Sequence, residues 1–368
     1  MPLRFHWSLS SAGDNLRGAK SRAAMSGVPA LGAHVEFCRR AEESGIESLL
    51  VAFGFHRAEP IALASALGVL TAKIKFLIAC RSGIFSPTFF VQQVNTLSTL
   101  TDGRVAINIV AGHSPHEHGY YGDFLSHDER YDRMDEFWTV CRALWQGDGE
   151  VSFAGRYYRI EKARLNTPFL APDRTAPEIY VGGNSEQAEA LAVRHASCLL
   201  RLPDAPERLE PAIRPLLARG VEVGLLVSII VRPTREEAVR AACSLLEAAG
   251  EQSREVHRQF SQKSDSVAFR SMYELAGRGA DWQTPYLWTG AVPYLGAPAA
   301  ALVGSPEEVA AAILEYRDIG VSQFLFMGWP DVEAMTTFGR EVLPLVRERE
   351  ARAEAAPVHH DSLERSQL

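Results

Sequence analysis

The chain has 368 residues, of which 46% are hydrophobic and 23% charged, a globular composition with enough apolar residues for a large core. Its formal charge of −7 gives no global field that would draw it to nucleic acid or an anionic membrane. The opening MPLRFHWSLS lacks a basic stretch followed by an apolar run, and no apolar run reaches the roughly 18 residues of a membrane span, so a cytoplasmic protein is expected.

Short apolar runs alternate with longer stretches of helical period, the pattern of repeated βα units around a parallel sheet. Strands are predicted over 3–9, 48–53, 73–79, 105–110, 178–181, 198–202, 222–231 and 323–327. Helices are predicted over 34–44, 60–70, 88–100, 130–145, 185–194, 234–248 and 306–319, with Gly45, Gly103 and Gly320 as stops. Eight such strands predict an α/β fold, a (β/α)8 TIM barrel with insertion segments, rather than an open doubly wound sheet. It would form one domain over 1–349.

Three stretches break the rhythm. Residues 10–29 are rich in Gly, Ser and Ala, and 151–160 read as a small hairpin turning at Ala154-Gly155. Residues 251–298 form a long insertion, polar first and then rich in Gly, Pro and aromatics; loops of that length act as lids or binding loops. From Glu350 to Leu368 the chain is charged and Ala-rich, the composition of a disordered tail.

The segment IYVGGNSEQAEALAV, from Ile179, ends a strand in Gly182-Gly183 and opens a helix at Asn184-Ser185. Two glycines let a ligand approach the backbone, and the helix start offers unpaired N–H groups that favour phosphate. A plain βα turn with a Ser or Asn cap is the competing reading. The strand RVAINIVAG carries Asn108, Val110, Ala111 and Gly112 to the barrel mouth, small enough to leave room for a flat ring. Arg57 and His56 after the second strand, Arg81 after the third and Arg201 after the sixth could each clamp an anion or pair with a neighbouring carboxylate.

His113, His116 and His118 do not share one helix face, so a metal is not predicted from them. The five scattered cysteines have no metal-ligand or disulfide spacing. No Ser-His-Asp elbow, Walker loop or strand-proximal GxGxxG is present, which leaves hydrolase and P-loop readings without support.

RVAINIVAG, FLSHDERYDRMDEFW, IYVGGNSEQA, IIVRPTREEA and ALVGSPEEVA, in that order, resemble the bacterial luciferase-like flavin monooxygenase superfamily, in particular its alkanesulfonate monooxygenase-like branch. The resemblance implies a flavoprotein that takes reduced FMN from a separate flavin reductase and uses O2 to oxygenate a small-molecule substrate. Tyr131, Gly182, Gly183, Asn184 and Ser185 would hold the FMN phosphate and ribityl chain. Ala79, Asn108, Val110 and Ala111 would lie against the ring, and the insertion would shield it. Relatives pair through early barrel helices, which implies a homodimer or homotetramer.

Departures from the sulfonate enzymes bear on the substrate. Arg57 stands where they carry a pocket Cys; their strand-seven Arg and His become Leu226 and Ser228; their insertion Arg falls near Leu295, and their Tyr after strand eight becomes Trp329. A buried sulfonate without its partners would cost several kcal/mol. The expected pocket is therefore apolar, lined by Leu226, Leu295 and Trp329, with His56, Arg57, Ser228 and His6 as polar handles. A sulfone, a hydrocarbon chain or an intermediate of secondary metabolism fits better than a simple alkanesulfonate. A deazaflavin-dependent oxidoreductase and a non-catalytic flavin-binding protein are the alternatives.

Overall fold

The computed structural model describes residues 2–9, 30–112, 114–147, 149–327, 329 and 331–355. The 10–29 excursion, His113 and the chain beyond Ala355 lie outside the described residues. In chain order the strands are β1 (Arg4–Ser8), β2 (Ser48–Val51), β3 (Lys75–Cys80), β4 (Val105–Ile109), β5 (Val151–Ala154), β6 (Arg159–Ala163), β7 (Glu178–Gly182), β8 (Cys198–Arg201), β9 (Glu222–Val231), β10 (Leu287–Trp288), β11 (Ala301–Gly304) and β12 (Val321–Phe326). The helices are α1 (Leu31–Glu43), α2 (Pro60–Gly68), α3 (Pro87–Leu100), α4 (Pro115–Tyr120), α5 (His127–Gln146), α6 (Glu186–His195), α7 (Pro206–Leu217), α8 (Arg235–Lys263), α9 (Val267–Ala276), α10 (Val292–Leu295), α11 (Pro306–Asp318), α12 (Val332–Thr337) and α13 (Leu343–Ala355).

Eight strands run parallel in the order β1-β2-β3-β4-β7-β8-β9-β12, and β12 pairs back onto β1, closing the predicted barrel. Side chains alternate along every strand. Phe5, Trp7, Phe76, Ile107, Val181 and Phe324 point outward and form the main core with the helices. Leu50, Leu77, Ala79, Ala106, Tyr180, Leu200 and Leu325 fill the interior.

The N-terminal end of the barrel is plugged by charge. Arg4 and Lys75 each bridge Glu47 and Glu178, at 2.6 and 3.0 Å for Arg4 and 2.9 and 3.4 Å for Lys75. Burial raises the Glu47 carboxyl, but Arg4 and Lys75 outweigh it and hold it at about 2. His6 belongs to this floor, which corrects its reading as a polar handle of the substrate pocket. It is 1% exposed, with Nδ1 2.8 Å from Ser48 Oγ and Nε2 2.9 Å from Gln323 Oε1. Gln323 donates its amide N–H to Glu222 at 2.8 Å, so its oxygen accepts from His6 Nε2–H, and Nδ1 accepts from Ser48.

Burial lowers the His6 pKa to about 4 from the ordinary 6.5. The unfolded chain therefore binds this proton first as pH falls from 6.5 to 4, and stability is lost across that window, roughly 3 kcal/mol in all. Unfolding of wild type and His6→Gln followed across that range should show the steeper loss in wild type. Parallel slopes would count against this account.

The insertion departs from expectation. Residues 251–298 are built mainly of regular elements rather than one long loop: the end of α8, then α9, β10 and α10. The predicted start coincides with a break in α8 at Gly250. The start of α9 carried a signal, since Ser266 caps the helix by accepting from Phe269 N at 3.3 Å. α7, which carries Pro211 and Pro215 inside it, and the four-residue β11, too short for a periodic pattern, are additional to the predicted elements. The last helix, α13, runs to Ala355, past the expected tail boundary at 350. Among the described residues no helix is long and apolar enough to cross a membrane.

Candidate functional site

The inward rows of the barrel end, at its C-terminal mouth, in small or polar residues. On β3 the row is Leu77, Ala79, then Arg81; on β4 it is Ala106 and Asn108, followed by Val110; on β7 it is Tyr180 and Gly182. Ala79 is 6% and Asn108 4% exposed, and Asn108 Oδ1 is buried with no hydrogen-bond partner among the described residues. A Cβ placed on Gly182 would meet Asn108 Oδ1 at 3.7 Å and a Val110 methyl at 3.8 Å. Ala79, Asn108, Val110 and Gly182 thus border one shallow wall. The side chain of Ala111 packs instead against the outer core.

Beside that wall, α6 begins. Ser185 is its N-cap, accepting from Ala188 N at 3.2 Å, and it lies beside the buried Tyr131 hydroxyl from α5. Burial raises the Tyr131 pKa, so the hydroxyl keeps its proton as a donor. Gly183 donates its N–H to the Leu200 carbonyl at 3.0 Å. A Cβ there would sit 2.8 Å from the Ala188 Cβ and 3.4 Å from the Tyr131 oxygen. The absence of that carbon opens the cradle. Asn184 Oδ1 accepts from Leu202 N at 3.3 Å and pins the turn to β8. Gln187 on α6 donates to Asp128 on α5 at 3.1 Å, holding the two helix starts together.

The acidic first turn of α6 is partly neutralised, since Glu189 accepts from Arg201 at 2.5 Å. Arg201 is therefore engaged with a carboxylate. Arg81 also has a carboxylate, with Nη2 3.2 Å from Glu117, and its guanidinium lies 4.7 Å over the Phe53 ring.

The substrate-end residues are dispersed. His56 and Arg57 are half-buried in the β2–α2 loop, where the His56 ring meets Phe55 edge-on at 5.1 Å. Ser228 is fully buried, its hydroxyl between the carbonyl oxygens of Met327 (2.7 Å) and Pro298 (2.9 Å). Trp329 donates Nε1–H to the Ile229 carbonyl at 3.0 Å and shares an apolar cluster with Leu295. Leu226 joins the barrel interior to α9 and α10, packing with Leu202, Met272 and Val292. Leu295 and Trp329 come together; Leu226 lies in a different cluster.

Sequence reading missed the tie between the insertion and α5. Arg130, 3% exposed, pairs with Asp265 at 2.5 Å in the turn between α8 and α9. Arg130→Met should raise hydrogen exchange in 264–276 roughly tenfold and leave the barrel strands unchanged, and equal exchange would discard the latch. α4 was missed too, although Ser114-Pro115 followed by Glu117 is a helix-start pattern and Ser114 accepts from Glu117 N at 3.3 Å. Of the three loop histidines, His116 bonds Tyr120 at 2.8 Å on the surface, while His118 is buried with Nδ1 3.7 Å from Asp123.

The family model for luciferase-like monooxygenases matches residues 3–323. Among solved structures, the chain is similar to a riboflavin lyase with modified FMN and riboflavin, with a TM-score of 0.75 at 21% identity over 95% of this chain and 92% of that one. It is also similar to EDTA monooxygenase from Chelativorans sp. BNC1, with a TM-score of 0.71 at 18% identity over 95% and 94%. An F420-dependent secondary alcohol dehydrogenase gives a TM-score of 0.66 at 22% identity over 94% and 100%. With a match across nearly the whole barrel, the chain belongs to the luciferase-like monooxygenase family.

Proposed function

We propose that the protein is a two-component, FMN-dependent monooxygenase, supplied with reduced FMN by a separate flavin reductase. The observation that carries this reading is the cradle at the start of α6, where Gly183, Ser185 and the Tyr131 hydroxyl converge beside a wall of small residues. Ser185, Tyr131 and the first N–H groups of α6 suit a phosphate. Ala79, Asn108, Val110 and Gly182 suit a flat ring, and Asn108 Oδ1 offers an acceptor to a ring N–H. When bound, the reduced flavin supplies the electrons and the activation of O2. The chain holds the ring against the barrel mouth and, through α9 and α10 seated over Leu202 and Leu226, excludes water from it.

The sulfonate partners are absent at Leu226, Ser228, Leu295 and Trp329, so the substrate in this reading is not a simple alkanesulfonate. Assembly as a homodimer or homotetramer in the cytoplasm completes the proposal. A second reading, a coenzyme F420-dependent oxidoreductase, is favoured by the likeness to the F420-dependent dehydrogenase. Titration with FMN and with coenzyme F420, followed by fluorescence, separates them. FMN should bind at least tenfold more tightly, and the reverse order would replace the first reading by the second.

A further inference from the structure

We propose that the cavity between α7 and α9 binds a small organic acid, an apolar chain or ring carrying one carboxylate, and that the bound acid holds the insertion on the barrel. The inference goes beyond the flavin reading and does not rest on it.

The cavity measures about 220 Å³, the share of about seven waters. Its walls are the end of β8, the loop that follows, the first turns of α7 and one face of α9. On α9 that face is Val267, Ser271, Met272 and Leu275, which recur at helical spacing. Of the cradle residues only Asn184 reaches it; Tyr131, Gly183 and Ser185 do not line it. It opens beside Ala212 and Ser271, which are exposed. It closes on Arg201, Leu202 and Met272, which are 8%, 5% and 2% exposed.

Polar groups are few here. Arg201 gives Nη1 to Glu189 at 2.5 Å, and its Nε is buried with no partner among the described residues. Glu189 is not part of the cavity wall. A guanidinium carries five N–H donors, so this one is short of acceptors beside an empty space. Asn184 uses its Oδ1 on Leu202 N at 3.3 Å, which leaves its amide N–H2 to offer. At the rim, Arg208 is neutralised by Asp204 at 2.6 Å. The sides are hydrocarbon, from Leu202, Leu209, Val267, Met272 and Leu275.

An apolar cleft with a few convergent polar groups is the usual form of a small-molecule site. Donors at the closed end and hydrocarbon along the sides fit one planar anion joined to an apolar body. A carboxylate can accept from both Arg201 and Asn184. A bare phosphate would leave the apolar walls against water, and a neutral amide would set no charge opposite the guanidinium. Because β8 and α7 belong to the barrel and α9 to the insertion, the occupant touches both bodies. Its binding energy must be given up before α9 can leave Leu202 and Leu209.

The test uses the full chain without flavin, titrated by calorimetry with hexanoate, benzoate, hexanamide and inorganic phosphate. One of the two acids should bind about tenfold more tightly than the amide or phosphate. At ten times its Kd the acid should slow hydrogen exchange in 267–276 about tenfold and leave the barrel strands unchanged. Ala212→Trp puts a ring into the cavity mouth from an exposed position, and Arg201→Gln removes the charge at the closed end. Each should weaken acid binding about tenfold, read on whichever variant keeps the wild-type circular dichroism spectrum. Saturating FMN should leave the acid's affinity unchanged. The proposal is overturned if neither acid binds, if hexanamide binds as tightly as hexanoate, if a folded variant binds acid as wild type does, or if FMN displaces the acid. Failure of FMN to bind would sink the flavin reading and leave the acid result standing.

Discussion

Gly183→Val should lower FMN affinity about a hundredfold, close to 3 kcal/mol, while the barrel still folds. The smallest added carbon already stands 2.8 Å from the Ala188 Cβ, and the isopropyl group adds two more. Ala188 is fully buried on α6 and cannot retreat, and the Gly183 backbone is held by its N–H to the Leu200 carbonyl at 3.0 Å. The new side chain must therefore fill the cradle or displace the Tyr131 hydroxyl. Flavin fluorescence titration reads the affinity, and a circular dichroism melt reads the fold. Affinity within threefold of wild type would show that the phosphate does not sit there. Ser185→Ala, which keeps the space and removes one hydroxyl, should lose about tenfold by the same measurement.

Trp138→Ala should cost about 4 kcal/mol of stability. Trp138 is fully buried on the outer face of the barrel, edge-on to Phe90 at 5.7 Å and Phe137 at 5.4 Å, and stacked on Trp145 at 6.2 Å. It lies seven residues after Tyr131, two turns along the same face of α5. Its loss removes the anchor that holds the Tyr131 hydroxyl against Ser185, so flavin binding should weaken along with the fold. The urea midpoint reads the stability. A loss under about 1 kcal/mol would mean the cavity collapses without strain.

The barrel was legible because its strands are apolar on both faces and its helices carry a clear period. Strand β9 was read residue for residue; the small hairpin is present, but its turn runs over Gly155–Tyr158 rather than Ala154-Gly155, and β6 continues to Ala163. The turn at the start of α6 was half legible. Gly183 and Ser185 announce a helix start that tolerates close approach, but Tyr131 came only through resemblance, since residues separated by more than fifty positions share no local pattern. Arg81 was read as either an anion clamp or a carboxylate partner, and the structure gives it Glu117 as a partner. His118 was weighed only as a metal ligand. Its burial beside Asp123, with Nδ1 at 3.7 Å, is a tertiary fact that no spacing rule encodes.

The ten residues of β9 serve two sheets. The first half is a stave of the barrel between β8 and β12, and Ser228 to Val231 pair with β11, which in turn carries β10. The far end of the insertion is thereby laced to the barrel backbone by strand hydrogen bonds, whereas α9 is joined by side-chain contacts and the Arg130–Asp265 pair. An opening of the insertion would have to pivot between these unequal attachments, at the Gly250 break and ahead of Asp281, whose carbonyl accepts from Thr289 N at 2.6 Å. The body free to move would then be the helical stretch 251–280, with β10 and β11 as its fixed frame.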